Sequence, residues 1–196
     1  MSTSKQDLAR GLVRGFISEV VIEDVTREGL KDTPDRVTKA WREYWAAGYS
    51  VDPASLLKTF EDGSEGYEGL IIQCGIAVHS HCEHHMAPFW GEAHIGYLPG
   101  KRIVGLSKLA RVVRAYAQRL QVQERLTTQV ADLLYSELEA KGVGVILRCR
   151  HMCLESRGVQ MPGTITITSS LRGCFGTDEA IRSEFLSLRT HGKGAL

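Results

Sequence analysis

A chain of 196 residues is long enough for one domain with a substantial core, or for such a domain carrying a helical extension. Its net charge of +1 argues against a general nucleic-acid coat, and no apolar run reaches the length of a membrane span. Five cysteines, an odd number, together with a polar stretch from Met1 to Arg10 that lacks the features of a secretory signal, predict a reducing, cytosolic setting.

Leu8, Leu12, Val13, Phe16, Ile17 and Val20 recur at helical spacing, which predicts a helix from about Lys5 to Glu23. Thr33-Pro34 reads as an N-cap followed by proline in the first turn of a second helix. That helix runs through Val37, Ala40, Trp41 and Tyr44 and stops at Gly48. Arg36 and Lys39 lie three apart on it, and spacing alone makes theirs a solvated face. The mixed stretch 50–69, with Gly63, Ser64 and Gly66, marks a loop. The expected organisation is an N-terminal helical region, residues 1–68, and a second domain, residues 69–196.

Leu70 to Val78 is rich in β-branched and apolar residues and predicts a strand. Gly91 to Leu98 alternates, Pro99-Gly100 suits the centre of a type II turn, and Ile103-Val104 predicts a short strand. The period then changes. Leu109, Val112, Val113, Tyr116, Ala117 and Leu120 form a helical stripe with Ser107 placed to cap it. A second stripe, Val122, Leu126, Val130, Leu133, Leu134 and Leu138, is stopped by Gly142. Val145 to Cys153 and Thr164 to Leu171 return to strand character, with Cys149, His151 and Cys153 on one face. A last helix runs from Asp178 through Leu188, and the tail His191 to Leu196 is expected to fray. The order strand-strand-helix-helix-strand-strand predicts an α+β fold: a four-stranded antiparallel sheet with two helices on one face. Its open edges favour pairing with further subunits.

The chemistry concentrates in His81-Cys82-Glu83-His84-His85. In a tight turn Cys82 and His85, three apart, can reach one ion, and thiolate plus imidazole suits zinc. His151-Met152-Cys153 is the other place where His and Cys come together, and Cys153 supplies a third ligand. Three protein ligands leave a position for water, as in a catalytic rather than a structural zinc site. Cys74, Cys149 and Cys174 read as ordinary buried thiols.

Ser107, Lys108 and Arg111 fall in the first turn of one helix, where backbone N–H groups and two cations favour a phosphate. Arg157 is a further phosphate candidate. Glu124 is either a surface carboxylate suited to a helix start or an acceptor for a pair of N–H donors on a base edge.

Taken together, Cys82-Glu83-His84-His85, Gly105-Leu106-Ser107-Lys108-Leu109-Ala110-Arg111, Gln121-Val122-Gln123-Glu124-Arg125-Leu126 and His151-Met152-Cys153 with Arg157-Gly158-Val159 resemble GTP cyclohydrolase I. The resemblance runs from about Arg27 to Leu188. It implies a tunnelling fold whose barrel is completed by oligomerisation, as a homodecamer of two pentamers with active sites between subunits. It implies zinc on Cys82, His85 and Cys153, and His84 and His151 as the catalytic histidines. Glu124 would hold the guanine N1 and amine of GTP with Gln123 beside it. Ser107, Lys108, Arg111 and Arg157 would hold the triphosphate, with Arg36 and Lys39 reaching in from a neighbouring subunit. The implied reaction releases formate and gives 7,8-dihydroneopterin 3'-triphosphate, a step shared by folate, biopterin and deazaguanine routes. Two positions depart from the family's pattern. His81 replaces an apolar or small hydroxyl residue and could compete for the metal; Glu155-Ser156 replaces an apolar stretch and would either weaken triphosphate binding or pair with a nearby arginine.

Overall fold

The computed structural model describes residues 4–63 and 65–188, so the expectations for Ser64 and for the tail lie outside the described residues. The chain forms two compact units, Met1–Ala47 and Gly48–Leu196.

In the first unit, α1 (Lys5–Phe16) starts on Ser4, whose hydroxyl accepts from the Asp7 N–H. The helix then widens into a π turn, Ile17–Val21, and stops on Ile22 in the left-handed region (φ 61°). The helical span therefore covers the whole apolar stripe and ends two residues short of the expected Glu23. In α2 (Thr33–Ala40) Pro34 sits in the first turn as expected, but Asp32 takes the cap position and Thr33 is already helical.

In the second unit Gly48 is a docking point rather than a simple stop. Its N–H bonds Gln118 O at 3.0 Å, and a Cβ there would lie 2.0 Å from Ala115 O. The stretch that follows adds β1 (Thr59–Phe60), which pairs antiparallel with β4 (Ile103–Val104).

The main sheet is built from β2 (Ile71–Cys82), β3 (Pro88–Leu98), β6 (Gly142–His151) and β7 (Ile165–Gly173), antiparallel in that order. A two-residue strand, β5 (Leu120–Gln121), joins β2 in parallel through His81↔Leu120 and Cys82↔Gln121. Periodicity places Leu120 on a helix, because two residues are too few to register as a strand.

α3 (Leu106–Ala117) and α4 (Gln123–Glu137) cover one face. Leu109, Val112, Val113, Leu126, Val130 and Leu134 bury against Val78, Ala93, Ile95, Val145 and Leu147, each worth about 1.5–3 kcal/mol on the transfer scale. Two capping expectations fail. Gly105, not Ser107, caps α3. α4 ends at Glu137 with Glu139 left-handed, while Gly142 opens β6, where a Cβ would lie 2.5 Å from Cys174 Sγ.

On the opposite face Gly96 and Gly144 are cross-strand partners. A Cβ at either would come within 2.7 Å of a phenylalanine ring, so Phe175 and Phe185 rest directly on the sheet backbone. These rings come from α6 (Cys174–Thr177) and α7 (Glu179–Leu188) and meet edge to face at 5.3 Å. Among the described residues no helix is long and apolar enough to cross a membrane.

Candidate active site

The site is built where β2 turns into β3. Cys82 is the last residue of β2; its N–H donates to Ala87 O at 2.8 Å and its carbonyl accepts from the Met86 N–H at 2.8 Å. Met86 takes a left-handed conformation (φ 54°), which closes the turn. That compactness brings His85 Nδ1 to 3.9 Å from Cys82 Sγ. The turn is tied down from outside as well: the Glu83 N–H bonds Gln121 O at 3.0 Å, and the Glu83 carboxylate pairs with Arg125 on α4.

The third donor arrives by a route that alternation does not show. β6 ends at His151 and the chain coils into one helical turn, α5 (Met152–Glu155), so Cys153 does not continue the face of Cys149 and His151. Cys149 stays in the core, its thiol pushed up to about 12 by burial and then by Glu92, and takes no part in the converging group. Cys153 swings to Cys82 instead. The donor atoms of Cys82, His85 and Cys153 all lie within 4.8 Å of one another. Donors sharing a tetrahedral ion sit roughly 3.5–3.8 Å apart, so a small contraction suffices for these residues to hold a metal. Burial raises the Cys153 thiol above its ordinary range, and the neighbouring Cys82 thiol adds to that. Arg157, beyond α5, donates to His85 Nε2 at 2.8 Å.

His84 projects from the same turn, exposed, with Nδ1 3.7 Å from Cys82 Sγ and outside the converging trio. His151 stacks on Phe89, its cross-strand partner, at 4.7 Å and 10° between planes. Burial lowers its pKa below the ordinary imidazole value, against a smaller upward pull from Glu124 and Glu155. Its Nε2 lies 2.8 Å from Gln123 Oε1. Gln123 is only 2% exposed, and its amide nitrogen reaches Leu147 O, Thr166 O and Thr168 Oγ1 at 3.0–3.2 Å. The sequence gives no sign of this network, because its members lie up to 45 residues apart.

Glu124 follows Gln123 in the first turn of α4 and is exposed. Ser107, Lys108 and Arg111 lie in the first two turns of α3, with Ser107 and Arg111 exposed. Arg36 and Lys39 belong to the first unit. There Arg36 donates to Gly29 O and Thr33 Oγ1, Lys39 faces Glu43 at 4.0 Å, and both line a groove of about 730 Å³. Of the two departures, Glu155 takes the second course: Arg150 holds it with Nε–Oε1 at 2.8 Å, and this pairing keeps its carboxyl below the usual range. His81 is buried, and its neutral form is favoured by burial; it is not part of the converging trio.

A β-β-α-α-β-β sheet unit with Cys82, His85 and Cys153 gathered at one strand end defines an α+β domain built to hold a metal ion. It belongs to the GTP cyclohydrolase I family, whose model matches residues 11–190. The chain is 59% identical to GTP cyclohydrolase 1 of Nitrosospira multiformis over 166 residues, covering 85% of this chain and 86% of that protein. It is 57% identical to GTP cyclohydrolase 1 of a Janthinobacterium species, covering 85% and 83%. The Aquifex aeolicus GTP cyclohydrolase 1 is 47% identical over 188 residues, covering 96% and 98%.

Proposed function

We propose that the Cys82 turn, α5 and the first turn of α4 form the catalytic centre of a GTP cyclohydrolase I. The chain is an enzyme of that activity: it opens the imidazole ring of GTP hydrolytically, releases formate and forms 7,8-dihydroneopterin 3'-triphosphate. The observation that carries the reading is the convergence of Cys82, His85 and Cys153 from two separate elements.

In this reading Cys82, His85 and Cys153 hold zinc, which their two sulfurs and one nitrogen suit. Zinc, when bound, supplies a Lewis acid that makes water nucleophilic near neutral pH. The protein's own groups do the rest. Glu124 accepts from guanine N1 and the exocyclic amine and so orients the ring, and Gln123 precedes it on α4. His151 gives a proton at N7 as water adds at C8, and His84 moves protons on the water and ribose side. Ser107, Lys108, Arg111 and Arg157 hold the triphosphate, joined by Arg36 and Lys39 of a neighbouring subunit. The domain division at 68/69, assembly as a homodecamer of two pentamers and a cytoplasmic location belong to the same proposal.

Formate release and the fluorescence of oxidised neopterin, measured with GTP and zinc-loaded protein, test the reading directly. Both should appear in equal amounts and vanish in Cys153→Ala; formate release that persists without Cys153 refutes the assigned centre. Glu124→Ala should weaken GTP by about 1–3 kcal/mol while leaving inorganic triphosphate nearly unaffected, because only the base loses its acceptor. Equal weakening of the two ligands contradicts a base-reading role.

A further inference from the structure

We propose that Gln123 is a positioning residue that dictates which nitrogen of His151 handles the proton. This rests on the catalytic reading of His151 given above.

Leu147 O and Thr166 O are main-chain carbonyls and can only accept, so the Gln123 atom that faces both must be the amide nitrogen. A second chain of bonds agrees. Thr127 Oγ1 bonds the Gln123 carbonyl at 2.7 Å and must donate to it. Thr168 Oγ1, 2.6 Å from Thr127 Oγ1, therefore donates to Thr127 and accepts from Gln123 Nε2 at 3.0 Å. Every member of the ring has a fixed direction, and the Gln123 amide cannot be turned over without setting its oxygen against three acceptors.

The consequence falls on His151. Gln123 Oε1 is a pure acceptor 2.8 Å from His151 Nε2, so Nε2 must carry a hydrogen. In the neutral ring Nδ1 then bears the lone pair and is the nitrogen through which a proton is taken up and delivered. Phe89 fixes the plane of the ring from its face at 4.7 Å, and Gln123 fixes its rotation from its edge. The side chain of Gln123, buried and fully engaged, thus acts on the histidine rather than on the substrate.

Solid-state 15N spectra of the zinc-loaded protein, labelled at its histidine rings and assigned against His151→Asn, read the tautomer directly. Nε2 protonated and Nδ1 bare is the expected result; a proton on Nδ1 overturns the proposal. Gln123→Met should lower kcat on the order of 10- to 100-fold, with the GTP KM and zinc content unchanged, and the Nε2–H signature should be lost. Thr168→Val, a milder break in the same ring, should lower kcat less and in the same direction; it decides the matter if the methionine variant does not fold. Wild-type kcat per zinc-loaded site in both variants, with only thermal stability reduced, leaves Gln123 a merely structural residue and refutes the proposal. His151→Ala is the separate control: turnover that survives it removes the catalytic reading of His151 and leaves the tautomer result standing.

Discussion

His84→Ser is expected to keep its metal and lose turnover, whereas His85→Ser loses both. The two histidines are adjacent in sequence and both exposed, and each ring comes within 3.9 Å of Cys82 Sγ, so distance to that sulfur does not separate them. Cys153 does: the donors of Cys82, His85 and Cys153 converge, and those of His84 do not join them. Removing a group that moves a proton costs about 10²–10⁴ in rate. Removing one of three ligands leaves two, too few to retain the ion through gel filtration. Metal content by plasma emission and formate release by coupled assay give the pair of readings. Stoichiometric metal loss in His84→Ser would reverse the ligand assignment.

The second large effect is on the scaffold. Gly91→Ala places a Cβ 1.9 Å from Arg148 O and 2.8 Å from Cys149 Cα, both backbone atoms of the adjoining strand. Neither can move without opening the β3–β6 ladder, which runs from Leu98↔Gly142 to Phe89↔His151. Destabilisation above about 4 kcal/mol is expected, read as loss of soluble protein or a collapsed urea midpoint. Gly96→Ala is the internal comparison. Its Cβ meets the Phe185 ring, at 2.7 Å, rather than backbone, and a ring can shift. About 1–3 kcal/mol is expected there. Equal effects in the two variants would show that the ladder yields as readily as the ring.

Much of this was legible because it repeats. The stripes of α3 and α4 follow the period that burial imposes, Ala93, Ile95 and Tyr97 of β3 share the helix-covered face as their spacing requires, and the turn chemistry of Cys82 and His85 is local. What escaped is either short or distant. β5 has two residues and no period. Cys153 reaches the metal turn because the chain leaves β6 two residues earlier, and alternation placed it on the face of Cys149 instead. Gln123 reads as a residue beside the base because its partners on β6 and β7 cannot be known before the strands are paired. Residue type points to Ser107 as the cap of α3, whereas the helix starts one residue earlier, at Leu106, and Gly105 takes the position without a side-chain bond.

The first turn of α4 sends three consecutive side chains three ways: Gln123 inward to His151, Glu124 outward and Arg125 across to Glu83 in the metal turn. Each residue of a helix turns the next by about 100°, so the three are a single angular setting of one rod. One inserted residue ahead of Gln123 would rotate all of them together, detaching the histidine, the carboxylate and the turn in one event. Length changes in this lineage should therefore accumulate in the turn-rich stretch 65–70 just before β2, which carries none of the site residues named above, and be purged between Gln121 and Gln123. Point substitutions can be compensated one at a time here; a change of frame cannot.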